Sequence, residues 1–127
     1  MEPLVELLDL ICTAAKDSCE IDLTLEGTPA DGGVSAELSP GYTDSLYYSK
    51  KAIRIIPILF LSKNKDQREC LRQLSKICNY FQALKIYPQG SGFTWLDAEN
   101  ATEPNKIGQQ EDGQWIYSAI MNIKIYF

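Results

Sequence analysis

The chain contains no histidine, so a nucleophile in it would have to find its general base among aspartate, glutamate, lysine, tyrosine or cysteine. The carboxylates offer two pairs. Asp97 and Glu99 are two apart and share a face if their segment is a strand, and Glu111 and Asp112 are adjacent in a turn-rich stretch. On a surface strand or loop such pairs read as solvated charge rather than as an acid and a base. The glycine clusters, GSG from Gly90 and DGG from Asp31, lack the lysine of a phosphate loop and the spacing of a dinucleotide fingerprint. The expectation is a protein with no catalysis and no cofactor.

The cysteines, Cys12, Cys19, Cys70 and Cys78, form no C-x-x-C pair, and no histidine is available to complete a mixed zinc site, so no metal is expected. Cys12, Cys70 and Cys78 fall inside amphipathic helical patterns, where a reduced cysteine packs as a small hydrophobe, and free thiols in a cytoplasmic compartment follow. The N-A-T triplet at Asn100 matches a glycosylation acceptor, but MEPLVELLDLICTAAKD has no basic leading region and is not read as a secretory signal, so the match is taken as accidental. Tyr42, Tyr47, Tyr48, Phe93 and Trp95 could form a stacking surface for single-stranded nucleic acid or sugar; the plainer reading puts Phe93, Trp95 and Trp115 in the core and the tyrosines along a loop. Twelve basic against 17 acidic residues, a net charge of -5, argues against gripping a phosphate backbone but suits a surface that nucleic acid slides past.

These residues must be positioned by one domain, 1–127, long enough to bury about two-thirds of its unfolded surface. With 45% hydrophobic and 23% charged residues the composition is globular, and no apolar run approaches the roughly 20 residues that cross a bilayer. Leu4, Leu7, Leu8, Ile11, Cys12 and Ala15 predict a first helix over 3–15. Ile21, Leu23 and Leu25 alternate with polar residues, so 20–26 reads as a strand ended by Gly27-Thr28-Pro29, and 34–38 as a short one. Residues 39–49 read as a loop or irregular hairpin. Then comes KKAIRIIPILFLSKN, apolar on both parities, a strand covered on both sides in which Pro57 implies an edge or a bulge. Asn64 or Asp66 can cap a long helix reaching about Lys85, with Cys70, Leu74, Ile77, Cys78, Phe81 and Leu84 as its stripe. A strand from Phe93 and a loop over 103–113 lead into WIYSAIMNIKIYF, which alternates to its end and pairs back antiparallel. The fold expected is α+β, a mainly antiparallel sheet with two helices packed on one face.

Three stretches, IPILFLSKNKDQ from Ile56, YFQALKIYPQGSGFTWLDAE from Tyr80, and TEPNKIGQQEDGQWIYSAIMNIKIYF from Thr102, resemble the minor capsid proteins encoded in the head and tail-joining gene clusters of long-tailed bacteriophages that infect Gram-positive bacteria, a family similar to the tail terminators, or tail-to-head joining proteins. The likeness covers about the C-terminal 75 residues; the first 50 match only as helix then strand. The resemblance implies a virion protein, assembled in the host cytoplasm, whose partners are its own copies in a hexameric ring, the tail tube protein and the head-connector protein. DNA passes through such a ring unbound, and the acidic Glu103 and Glu111 would face its lumen. Another component of the same region, a tail tube or head-completion protein, is the first alternative. A ferredoxin-like module holding a small ligand is the second.

The two-faced strand would leave an open apolar face unless neighbours cover it. Ile56, Ile58 and Phe60, with Tyr47 and Tyr48 beside them, are therefore expected at the contact between subunits. The alternative is that the first helix and residues 39–49 cover that face within one chain.

Overall fold

The computed structural model describes residues 2–25, 27 and 31–127. Among the described residues two helices and six strands follow the order α1 (Pro3–Cys19), β1 (Leu23–Thr24), β2 (Gly33–Leu38), β3 (Tyr42–Leu46), β4 (Ala52–Asn64), α2 (Gln67–Ala83), β5 (Thr94–Gln109) and β6 (Trp115–Tyr126). Pro3 opens α1 where its missing N–H is harmless, and the Glu2 carboxylate accepts from the Val5 amide at 3.0 Å. Glu20 ends the helix in the left-handed region at φ 59°. Of the two capping candidates for α2, Asp66 does the capping, accepting from the Arg68 amide at 3.0 Å, while Asn64 accepts from the Asp66 amide at 2.9 Å and fixes the entry.

The strands form one sheet in the order β1-β2-β4-β6-β5, with β3 also on β4, and every pairing except β1 with β2 is antiparallel. The protein is an α+β fold. The strand expected over 20–26 is reduced to Leu23–Thr24; Glu26, and Thr28 and Pro29 of the following turn, lie outside the described residues. Residues 39–49 hold a real strand, β3. Most of the loop expected over 103–113 is strand as well, because β5 continues to Gln109 through four register shifts and only a short turn separates it from β6. Such bulges accommodate Pro104, which has no N–H to give to a regular ladder.

Pro57 is not on an edge strand. One side of β4 pairs with β6 throughout, Pro57 standing opposite Asn122. The other side is divided: β2 ends with Leu38 opposite Ile58, and β3 begins with Tyr42 opposite Ile55. Pro57 sits at the junction, where no ladder partner asks for an N–H, and its carbonyl accepts from the Ser39 amide at 2.9 Å. The link between β2 and β3 crosses so close to β4 that a Cβ on Gly41 would collide with the Ile55 carbonyl oxygen.

Both helices lie on one face. Leu7, Ile11 and Ala14 of α1 and Cys70, Leu74, Ile77, Cys78 and Phe81 of α2 join a single core with Ile56, Ile58 and Phe60 of β4 and with Tyr117, Ala119, Met121, Ile123 and Ile125 of β6. Trp95 stacks between Phe81 and Tyr87, at centroid distances of 5.8 and 5.3 Å. This corrects the expectation for Ile56, Ile58 and Phe60, whose side chains are buried beneath the helices, Ile58 completely, and are not offered to a neighbour. The reason lies in β6. Its odd positions are uniformly apolar, whereas its even ones include Asn122 and Lys124, which are costly to bury fully. The register sets Met121 opposite Ile58 and Ala119 opposite Phe60, so β6 decides which side of the ambiguous β4 turns inward.

Candidate functional site

Neither described helix covers the sheet face opposite the core. Along β4 it carries Ile53, Ile55, Pro57, Leu59 and Leu61, and β6 adds Ile116 and Ile120; the register places Leu59 beside Ile120. Ile55 is buried and the others are half-buried, and none belongs to the helix-side core. With strands about 4.8 Å apart and about 3.4 Å of rise per residue, four strands and the 13 residues of β4 span roughly 14 by 41 Å between backbone centres. Its centre is a row of half-buried aliphatic side chains that no described helix covers.

The margins of this face are polar. Glu37 of β2 stands opposite Leu59 on one side, and Glu99 of β5 stands opposite Asn122 on the other, with Asp97 next along β5 opposite Lys124. All three carboxylates are exposed. Asp97 accepts from the Ala98 amide at 2.8 Å and from the Tyr87 hydroxyl at 3.3 Å, and the Asp97–Glu99 pair lies on β5, at the edge of the sheet. At the far end the Lys63 side chain is nearly buried, 3.7 Å from Asp112, while Asp112 also accepts from the Gln114 amide at 3.0 Å and from its side chain at 2.9 Å. Those bonds, and then Lys63, hold the Asp112 carboxyl below its ordinary pKa.

At the opposite end the β3–β4 hairpin projects. Tyr47 and Tyr48 are exposed as the sequence predicts, Tyr48 completely and Tyr47 by 46%, and Leu46 beside them is 68% exposed. Tyr47 rests edge-on against Tyr126, with ring centroids 5.8 Å apart. The structure thus keeps Tyr47 and Tyr48 together at the hairpin and separates them from Ile56, Ile58 and Phe60. Glu103 and Glu111 do not form a cluster: Glu103 is exposed in the middle of β5, where it accepts from the Asn100 side chain at 3.1 Å, and Glu111 is exposed in the turn before β6.

Two further polar clusters lie away from this face. A shallow cleft beside β1 is lined by Glu20, Asp22, Glu69, Arg72 and Lys76, and Arg72 and Glu69 are paired within it. The GSG loop does cradle an anion, but the anion belongs to the chain: Glu6 accepts from the Ser91 amide, the Ser91 hydroxyl and the Gly92 amide at 2.7, 2.9 and 3.2 Å. Among the described residues no group of three or more histidine, cysteine or acidic residues could hold a metal ion. The four cysteines are free, and burial raises the pKa of each, that of Cys78 to about 11. No described helix is long and apolar enough to cross a membrane. No family model matches the chain, and no curated protein matches it either.

What sequence reasoning missed is the parity of the exposed face: Leu59, Leu61, Ile116 and Ile120 in place of Ile56, Ile58 and Phe60. The signal was the mixed polarity of the even β6 positions, which becomes informative only once β6 is laid against β4.

Proposed function

We propose that the chain is a structural assembly subunit of a bacteriophage virion, which ends the tail tube and joins tail to head as an oligomeric ring and performs no chemistry of its own. The observation that carries the assembly reading is the uncovered aliphatic sheet face, Leu59 beside Ile120 at its centre, on a chain whose two helices are both spent on the other side. The three sequence stretches that resemble minor capsid and tail-terminator proteins supply the virion context. In this reading the ring buries the open faces, the tube end and the head connector supply its two flanking partners, and DNA passes through unbound. The net charge of -5 suits a lumen that repels DNA, with Glu103 and Glu111 as the residues assigned to it.

The test is genetic and visual. A phage genome carrying this gene should, when the gene is deleted, yield filled heads separated from tails of irregular, excessive length, and supplying the chain in trans should restore both joining and length. Normal virions from the deletion would overturn the proposal.

A further inference from the structure

The chain presents a second apolar surface besides its open face, and the two are complementary in charge. The β3–β4 hairpin carries Leu46, Tyr47 and Tyr48 followed by Lys50 and Lys51, all exposed. The open face is aliphatic at its centre; Asn122 and Lys124 stand on its β6 row, and the carboxylates of Glu37, Asp97 and Glu99 along its margins outnumber that one lysine. A basic, aromatic projection and an acid-rimmed, apolar surface thus occur on one molecule. They cannot satisfy each other within it. The hairpin is the end of β4 itself, and Leu59 lies seven residues into that strand from Ala52, roughly 23 Å away.

We infer that the hairpin of one copy docks on the open sheet face of the next, Tyr48 entering beside Leu59 and Ile120 while Lys50 and Lys51 reach the acidic margins. The inference rests on the reading of the chain as an assembly subunit and adds the contact through which it assembles. Because the two surfaces differ, the contact is head-to-tail, and repetition closes a ring when the rotation between copies allows it.

The hairpin is built to arrive already shaped. The Tyr47 amide donates to the Lys51 carbonyl and the Lys50 amide to the Tyr47 carbonyl, both at 3.0 Å, closing a tight loop with Lys50 left-handed at φ 69°. Such loops ordinarily favour glycine at that position. Tyr47 is braced on Tyr126, so the backbone that carries Tyr48 is held in place before docking, and a tyrosine entering an apolar surface is a common centre of binding energy.

Sedimentation velocity on the full chain, from micromolar to millimolar concentration, tests the contact through trans complementation. Wild type should associate with rising concentration. Tyr48→Asp, which removes the projection, and Leu59→Asp, which spoils the face, should each weaken association by at least about 30-fold, the loss expected for a residue central to an interface. Mixed one to one, the two variants should form a dimer and nothing larger, because one intact projection and one intact face remain. Circular dichroism checks that each variant is folded; if Leu59→Asp is not, the exposed double variant Glu37→Lys/Glu99→Lys takes its place. A wild type that associates while the mixed variants stay monomeric, or variants that associate like wild type, would overturn the contact and leave the virion reading to the gene deletion. A wild type still monomeric at millimolar concentration would overturn it too.

Discussion

The carboxylate of Glu6, in the first turn of α1, lies 2.7 Å from the amide nitrogen of Ser91, in the loop between α2 and β5. With the Ser91 hydroxyl and the Gly92 amide as further donors, these bonds tie the first turn of α1 to the loop before β5. The Ser91 hydroxyl first, and then the Gly92 amide, lower the Glu6 pKa from its ordinary 4.5. A carboxylate whose folded pKa is depressed contributes stability above its unfolded pKa and loses it as pH falls through the folded value. Glu6→Gln should therefore lower the thermal midpoint at neutral pH, and the gap from wild type should close as the pH is taken from 4.5 downward. A gap independent of pH would show that the carboxylate charge is not what the loop holds. Gly90→Ala should act in the same direction, since a Cβ there would meet Glu6 and the Phe93 ring.

Adjacent residues of β4 should respond very differently to truncation. Ile58 is fully buried beneath the helices, and Ile58→Ala should cost about 2–5 kcal/mol, the transfer of the lost methyls plus the cavity they leave. Leu59, on the open face, should lose only about 1 kcal/mol on truncation to Ala in the dilute monomer. Urea unfolding of the two variants checks the assignment of faces, which equal losses would contradict.

Phe81 is 1% exposed and stacked on Trp95. Phe81→Ala should destabilise by about 3–5 kcal/mol, with a change in Trp95 fluorescence at the same denaturant concentration. A loss below about 1 kcal/mol would mean that α2 presents another face to the sheet.

Glu20 holds a left-handed conformation at φ 59° where α1 ends. That conformation disfavours any residue with a Cβ, and glycine is its usual occupant at a helix C-terminus. Glu20→Gly should raise stability by about 1 kcal/mol in equilibrium unfolding.

The thiols should titrate with a reagent in an order set by burial. Cys12 is half-buried and the other three are buried, so one thiol per native chain should react first with a disulfide reagent near pH 8. Cys78, with its pKa raised to about 11 by burial and then by Glu103, should be the slowest, because only the thiolate attacks. Mass mapping of the labelled peptides gives the order directly.

Both helices and the last strand were legible in the sequence because each carries its own periodicity. The stripe of Cys70, Leu74, Ile77, Cys78 and Phe81 needs no partner to be recognised, and α2 is found from Gln67 to Ala83 with those residues buried. WIYSAIMNIKIYF alternates so strictly that β6 runs from Trp115 to Tyr126 with its odd positions inward. The antiparallel sheet with helices on one side follows from those elements and their order. Tyr47 and Tyr48 could be placed at the surface because the residues around them have no period that would bury them.

Tertiary structure decided the rest. β4 is apolar on both parities, so its own residues do not distinguish Ile58 from Leu59, and a shift of one residue would exchange every side chain between core and open face. Only the pairing of Ile58 with Met121 and of Leu59 with Ile120 brings the polarity of β6 to bear on the choice. Pro57, an edge or bulge signal by its chemistry alone, stands in the middle of the sheet because two separate strands meet opposite it. The cradle around Glu6 was invisible for the same reason: its donors are 85 and 86 residues away, and a backbone amide acquires a role only when the fold aims it. Local periodicity is written in neighbouring residues, whereas register, edge position and long-range hydrogen bonds are properties of pairs that only the folded chain creates.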